Sequence, residues 1–68
     1  MSNLNLSQVN LGWASLQGAN LSGANLRNAD LTQADLSDAN LIKADLTGAN
    51  LKRAIVSETQ LNSAKMSN

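Results

Sequence analysis

The stretch from Ala29 to Leu41, ADLTQADLSDANL, brings alanine back at every fifth residue, sets leucine two places after it and fills the place between with Asp or Asn. On an α-helix, turning about 100° per residue, a step of five rotates the leucine by about 140°, so no apolar stripe forms. On one uninterrupted strand the side chains alternate with period two, and an odd repeat throws successive leucines to opposite faces. A short extended piece followed by a corner satisfies both constraints. Ala and Leu then point the same way, and corners of one hand wind the chain into a coil with leucine and alanine inside.

Walking outward by fives, the frame runs from Leu6 to Met66, with leucine at every centre except Val56 and Met66. Two residues before each centre stand alanines, replaced by Leu4 and Val9 at the start and by Thr59, the one polar residue of the set. The remaining hydrophobic residues are Met1, Trp13, Ile42 and Ile55. Gly12, Gly18, Gly23 and Gly48 fall in the two corner places after a centre, where glycine relieves steric limits on φ. Proline is absent, as an unbroken ladder of N–H donors between coils favours. The frame makes residues 4–68 one domain preceded by a leader, residues 1–3.

With 68 residues the chain sits near the size at which a single core barely outweighs chain entropy, so regularity has to compensate. It contains no Cys and no His, which removes the usual ligands of zinc and haem and the usual residues of triad catalysis. No cofactor motif is present. Five Lys plus Arg balance five Asp plus Glu, leaving neither the basic footprint of a nucleic-acid binder nor a field to steer partners. MSNLNLSQVN has no basic segment leading into an apolar run, and no stretch approaches a membrane span, so a soluble, cytoplasmic protein is expected.

The units ANLSG, ANLRN, ADLTQ, ADLSD, ANLIK and ADLTG, from Ala19 to Gly48, resemble the A(D/N)LXX signature of the pentapeptide repeat family. The resemblance covers residues 4–68 and is strictest from Ala14 to Arg53. It implies an all-β fold: a short right-handed quadrilateral β-helix with four units to a coil, about three coils in all. Stacked residues then differ by twenty, which lines up Asn5, Asn25 and Asp45 in one column and Asn20 and Asn40 in another. Asn and Asp suit sharp turns and satisfy local backbone donors, so these columns are expected to be scaffold. Asp38 and Glu58 stack as like charges.

Little chemistry is expected on such a surface. Paired carboxylates such as Asp35 and Asp38 could in principle work as acid and base, but a convex, solvated face has nothing to desolvate one and separate their pKa values. The period does not match the calcium loops built on nine or twelve residues. Asn-Leu-Ser at Asn5–Ser7 and Asn20–Ser22 reads formally as a glycosylation sequon, yet the repeat itself generates it. Thr32, Thr47 and Thr59 fall in different columns, which argues against a ranked threonine face. Relatives that mimic double-stranded DNA and inhibit or shield type II topoisomerases do so through long, strongly acidic rods. Here Asp30, Asp35, Asp38, Asp45 and Glu58 mix with Arg27, Lys43, Lys52, Arg53 and Lys65 over barely three coils, so mimicry is the alternative and nucleic acid is not an expected partner.

A non-enzymatic structural or protein-interaction module is therefore expected, with no catalytic or metal residues. The candidate contact residues are Trp13, Ile42 and Ile55, apolar side chains outside the core pattern, with Trp13 either a hot spot or a lid on the first coil. By column, Ile42 and Ile55 fall on different faces. The ends matter more: a solenoid exposes an apolar cross-section and unpaired strand edges there, so a protein partner or a second copy, as a homodimer, is expected at an end.

Overall fold

A computed structural model describes residues 4–66; the expected leader, residues 1–3, and the last two residues lie outside the described part. Parallel bridges join Asn5 to Asn25, Asn10 to Asp30, Ser15 to Asp35 and Asn20 to Asn40, and the same step of twenty continues without a break to Asp45 and Lys65. Four bridge residues per twenty make a four-sided coil. Coil 1 spans residues 5–24, coil 2 residues 25–44 and coil 3 residues 45–64. The first face stacks pieces centred on Asn5, Asn25, Asp45 and Lys65, the second on Asn10, Asp30 and Asn50, the third on Ser15, Asp35 and Ile55, and the fourth on Asn20, Asn40 and Gln60.

Each face is a three-residue strand. Asn25 donates its N–H to Leu4 O at 2.8 Å and accepts from Leu6 N–H at 2.7 Å, and Asp35 treats Ala14 and Leu16 in the same way at 2.9 and 2.8 Å. A second rung forms at the corner, where Gln8 N–H reaches Arg27 O at 2.9 Å and Trp13 N–H reaches Thr32 O at 2.8 Å. The chain turns because each central carbonyl accepts the N–H three residues on, as Ala34 to Leu31 O at 3.0 Å and Ala39 to Leu36 O at 2.9 Å. The second corner residue is left-handed, with φ of 60° at Gln33, 61° at Asp38 and 69° at Gly23. These are the hallmarks of a type II turn.

One expectation needs correcting here. Glycine supplies the left-handed residue at Gly18, Gly23 and Gly48, whereas Gly12 sits one place earlier and is not left-handed. A side chain there would press on Asn10 Oδ1 at 3.2 Å and Thr32 O at 3.5 Å, so crowding and not φ favours glycine at position 12. At nine corners a residue with a side chain takes the left-handed conformation, including Trp13 at φ 65° and Lys43 at φ 64°. Such a residue gives up about 1–2 kcal/mol of intrinsic preference. At Gln8, Trp13, Asn28, Gln33, Asp38 and Lys43 the corner holds it because its own N–H is bonded to the next coil.

Inside, the leucines and alanines from Leu21 to Leu46 are all buried, with Leu26, Leu31, Leu36, Ala34, Ala39 and Ala44 at 0% exposure. Thr59 takes an alanine place without orphaning its hydroxyl, which donates to Leu36 O at 2.7 Å. Leu6, Leu11 and Leu16 in coil 1 and Leu51 and Leu61 in coil 3 are half-buried against this core. The molecule is a stub of 21 × 21 × 19 Å, as wide as it is tall.

Candidate functional site

The side walls consist of self-satisfied polar groups. Asp45 Oδ1 accepts the backbone N–H of Thr47 at 3.1 Å and its hydroxyl at 2.6 Å, and Asp30 and Asp35 hold Thr32 and Ser37 in the same way. Asn5, Asn10, Asn20, Asn25, Asn40 and Asn50 each accept the N–H two residues on. Each bond is an Asx turn that fixes the first corner residue, so the columns are scaffold by geometry. Asn25 Nδ2 reaches Asn5 Oδ1 at 3.4 Å along the first column. Among the described residues no such turn forms at the bridge places Ser15, Ile55 and Gln60.

These bonds tune the carboxylates. The Thr47 hydroxyl and N–H, with the Arg27 guanidinium beside them, hold Asp45 at about 2, well below the usual carboxylate range. Hydrogen bonds from Thr32 lower Asp30, and the Ser37 hydroxyl, with Gln17 Nε2 reaching across from coil 1, lowers Asp35. Arg27 Nε meets Asp45 Oδ2 at 2.6 Å, the ion pair formed among the described residues. Every shift favours a permanently ionised carboxylate, the opposite of what a general acid requires. Among the described residues no three His, Cys, Asp or Glu side chains converge as a metal site would require.

The three candidate contact residues stand apart. Trp13 occupies the corner between the second and third faces in coil 1; at 74% exposure its indole does not fold over the coil as a lid. Ile55 lies on the third face in coil 3, 49% exposed, and Ile42 opens the corner after the fourth face of coil 2, its N–H donating to Asn40 Oδ1. No single patch unites them. The third face and its following corner also gather Asp35, Asp38 and Glu58 without a cation, while Lys43, Lys52 and Arg53 belong to other faces and corners.

The ends differ from the walls. Leu4 is 43% exposed at one end, and Val56 and Met66 are 48% and 50% exposed at the other. In coil 1 the N–H and C=O of Asn5, Asn10, Ser15 and Asn20 point away from coil 2, and among the described residues they have no backbone partner. In coil 3 the N–H groups of Leu51, Val56 and Leu61 are left open in the same sense. Sequence reasoning missed a second asymmetry between the ends, although the signal was in plain view: the first charged side chain of the chain is Arg27, so coil 1 carries none.

Strands of three residues, type II corners and a step of twenty define a four-sided β-solenoid with a filled core. The pentapeptide repeat model matches residues 5–41 and 29–68, and the chain belongs to the pentapeptide repeat family. Solved structures agree. HetL, a pentapeptide repeat protein involved in heterocyst differentiation regulation from the cyanobacterium Nostoc sp. strain PCC 7120, is 36% identical and superposes with a TM-score of 0.91 over 94% of this chain and 30% of its own. The Nostoc protein alr5209 is 38% identical with a TM-score of 0.71, over 94% of this chain and 65% of its own. A pentapeptide repeat protein from the Arabidopsis thaliana thylakoid lumen is 27% identical with a TM-score of 0.76, over 91% and 46%. The fold is thus the family's right-handed quadrilateral β-helix. The chain spans less than two thirds of each of these relatives. No curated protein matches it. Among the described residues no helix is long and apolar enough to cross a membrane.

Proposed function

We propose that the chain is a non-enzymatic structural and protein-interaction module that binds through the ends of its solenoid. One contrast carries this reading: the wall residues satisfy one another through Asx turns and inter-coil rungs, while the end coils leave strand edges open beside half-exposed Leu4, Val56 and Met66. Open edges beside apolar surface are a template for pairing. The family is generally non-catalytic, and the lowered carboxylates accord with a scaffold role. Trp13, Ile42 and Ile55 serve as side contacts for a partner already held at an end. The cytoplasmic location expected from the sequence is part of this reading, although the Arabidopsis relative comes from the thylakoid lumen.

Solution mass by light scattering across a broad dilution series tests it. A dimer or stack that grows with concentration is the expected result, and a monomer at every concentration would overturn it. Asp35 on the third face, with Asp38 and Glu58 at its following corner, is the one observation favouring the alternative, a DNA-mimicking inhibitor or protector of a type II topoisomerase. Inhibition of DNA supercoiling by the purified chain would support that alternative, and unchanged supercoiling at high excess would remove it.

A further inference from the structure

We propose that the rim of coil 1, which carries no charged side chain, is a homodimer surface, which pairs with the same rim of a second copy about a twofold axis. This inference rests on end-directed binding and goes further by naming the end, the partner and the symmetry.

The backbone supplies the geometry. Around coil 1, Leu4 O and Leu6 N–H are already bonded to coil 2, and so are their equivalents on the other faces. What points outward is both groups of a single residue on each face: Asn5, Asn10, Ser15 and Asn20. A residue offering its N–H and its C=O together is half of a hydrogen-bonded antiparallel pair, in which two opposed residues exchange both bonds. Turning a second copy over about a twofold axis perpendicular to the solenoid makes every face antiparallel to its mate. All four sides can then close at once.

Charge chooses between the two ends. An isologous interface sets the same patch against itself, so any net charge on a rim meets the same net charge. Coil 3 and the residue after it carry Lys52, Arg53 and Lys65 against Asp45 and Glu58, a net of 3 − 2 = +1, which would oppose another +1. Lysine on an edge is a usual device against edge pairing. Coil 1 has no charged side chain to serve that purpose. Pairing there would also cover Leu4 and half-buried Leu6, Leu11 and Leu16, giving coil 1 the enclosure that the leucines of coil 2 already have.

The test is sedimentation equilibrium on the 68-residue chain, on Ser15→Lys and on Ile55→Lys, with circular dichroism to confirm the fold. Ser15 is an exposed bridge residue whose side chain makes no hydrogen bond among the described residues, and Lys65 shows that lysine fits a bridge place. Ile55 lies on the same face two coils on. If Ser15→Lys fails to fold, Gln8→Lys replaces it, because Lys43 already fills that left-handed corner place. The expected result is a dimer for the parent chain and for Ile55→Lys, with dimerisation weakened at least about tenfold by the rim lysine, since each copy then brings a positive charge to the same interface. A dimer untouched by the rim lysine but lost in Ile55→Lys would overturn this inference and leave end-directed binding standing. Assemblies growing past two copies would do the same. A parent chain that stays monomeric overturns both.

Discussion

Asp45 shows how much one side chain does at a corner. Its oxygens fix the Thr47 backbone, take the Thr47 hydroxyl and pair with Arg27, and the same bonds hold its pKa at about 2. Folding lowers the pKa of Asp30, Asp35 and Asp45, so at low pH the unfolded chain binds more protons than the folded one. Their contribution to stability is present in full above the unfolded value near 4 and is lost as pH falls toward about 2. Thermal unfolding followed by circular dichroism should therefore show a midpoint that is flat from neutral pH to about 5 and falls below that. Thr47→Val should raise the Asp45 pKa, read by carboxyl NMR titration. A second contrast concerns glycine. Gly18 and Gly48 share a left-handed φ, but a Cβ at Gly18 meets open space while one at Gly48 runs into Asn28 Oδ1. Gly18→Ala and Gly48→Ala should each cost about 1 kcal/mol, because the exposed Asn28 side chain can turn away from the new methyl, measured by urea unfolding. The Asn/Asp preference was legible in the sequence because the turn needs that acceptor. The left-handed corners were not, because most are filled by residues such as Gln33, Glu58 and Trp13, which propensity alone would not place there.

A single five-residue unit combines a strand too short to stand alone with a corner that its neighbours hold in place. Leucine's part is large: Leu31 is fully buried, and Leu31→Ala should cost about 2–5 kcal/mol, enough to unfold much of a chain this small. Defective units can be repaired one at a time. Ile55 stands where an Asx acceptor is missing, and Ser57 follows with an N–H and a hydroxyl placed as Ser37 is toward Asp35. Ile55→Asn should build that turn and raise stability by about 1 kcal/mol, checked by the urea midpoint at constant slope. Thr59 looked like a break in the pattern and is none, since its hydroxyl reaches Leu36 O one coil below. The period of five was readable because a filled core tolerates no slip of the leucines. That hydrogen bond was not, because it joins residues 23 apart in the chain.

For the whole molecule, the balance of charge has a thermodynamic counterpart. Arg27–Asp45 pairs a guanidinium that is 58% exposed and therefore strongly screened by solvent, and the remaining charges sum to nothing. The thermal midpoint should therefore move little between about 0.05 M and about 0.5 M NaCl, while core substitutions move it strongly. The four faces were legible only through the family resemblance, since a period of five does not count sides; the bridges count them. The neutral rim of coil 1 was legible from the first charged residue, Arg27, and gained meaning once the rim was seen to carry open strands. The identity of the units has a further result. Because every face is built from the same five-residue module, inserting or deleting one module leaves all leucines inward and turns everything downstream by a quarter revolution. Rotation of the stack is thus quantised. Leucine and alanine packing is blind to which quarter is occupied, so the native one has to be chosen by the few cross-coil marks that differ from face to face: Thr59 on Leu36, Gln17 on Asp35, Arg27 on Asp45 and Asn25 on Asn5. Those four contacts act as the keying of an otherwise rotationally indifferent stack.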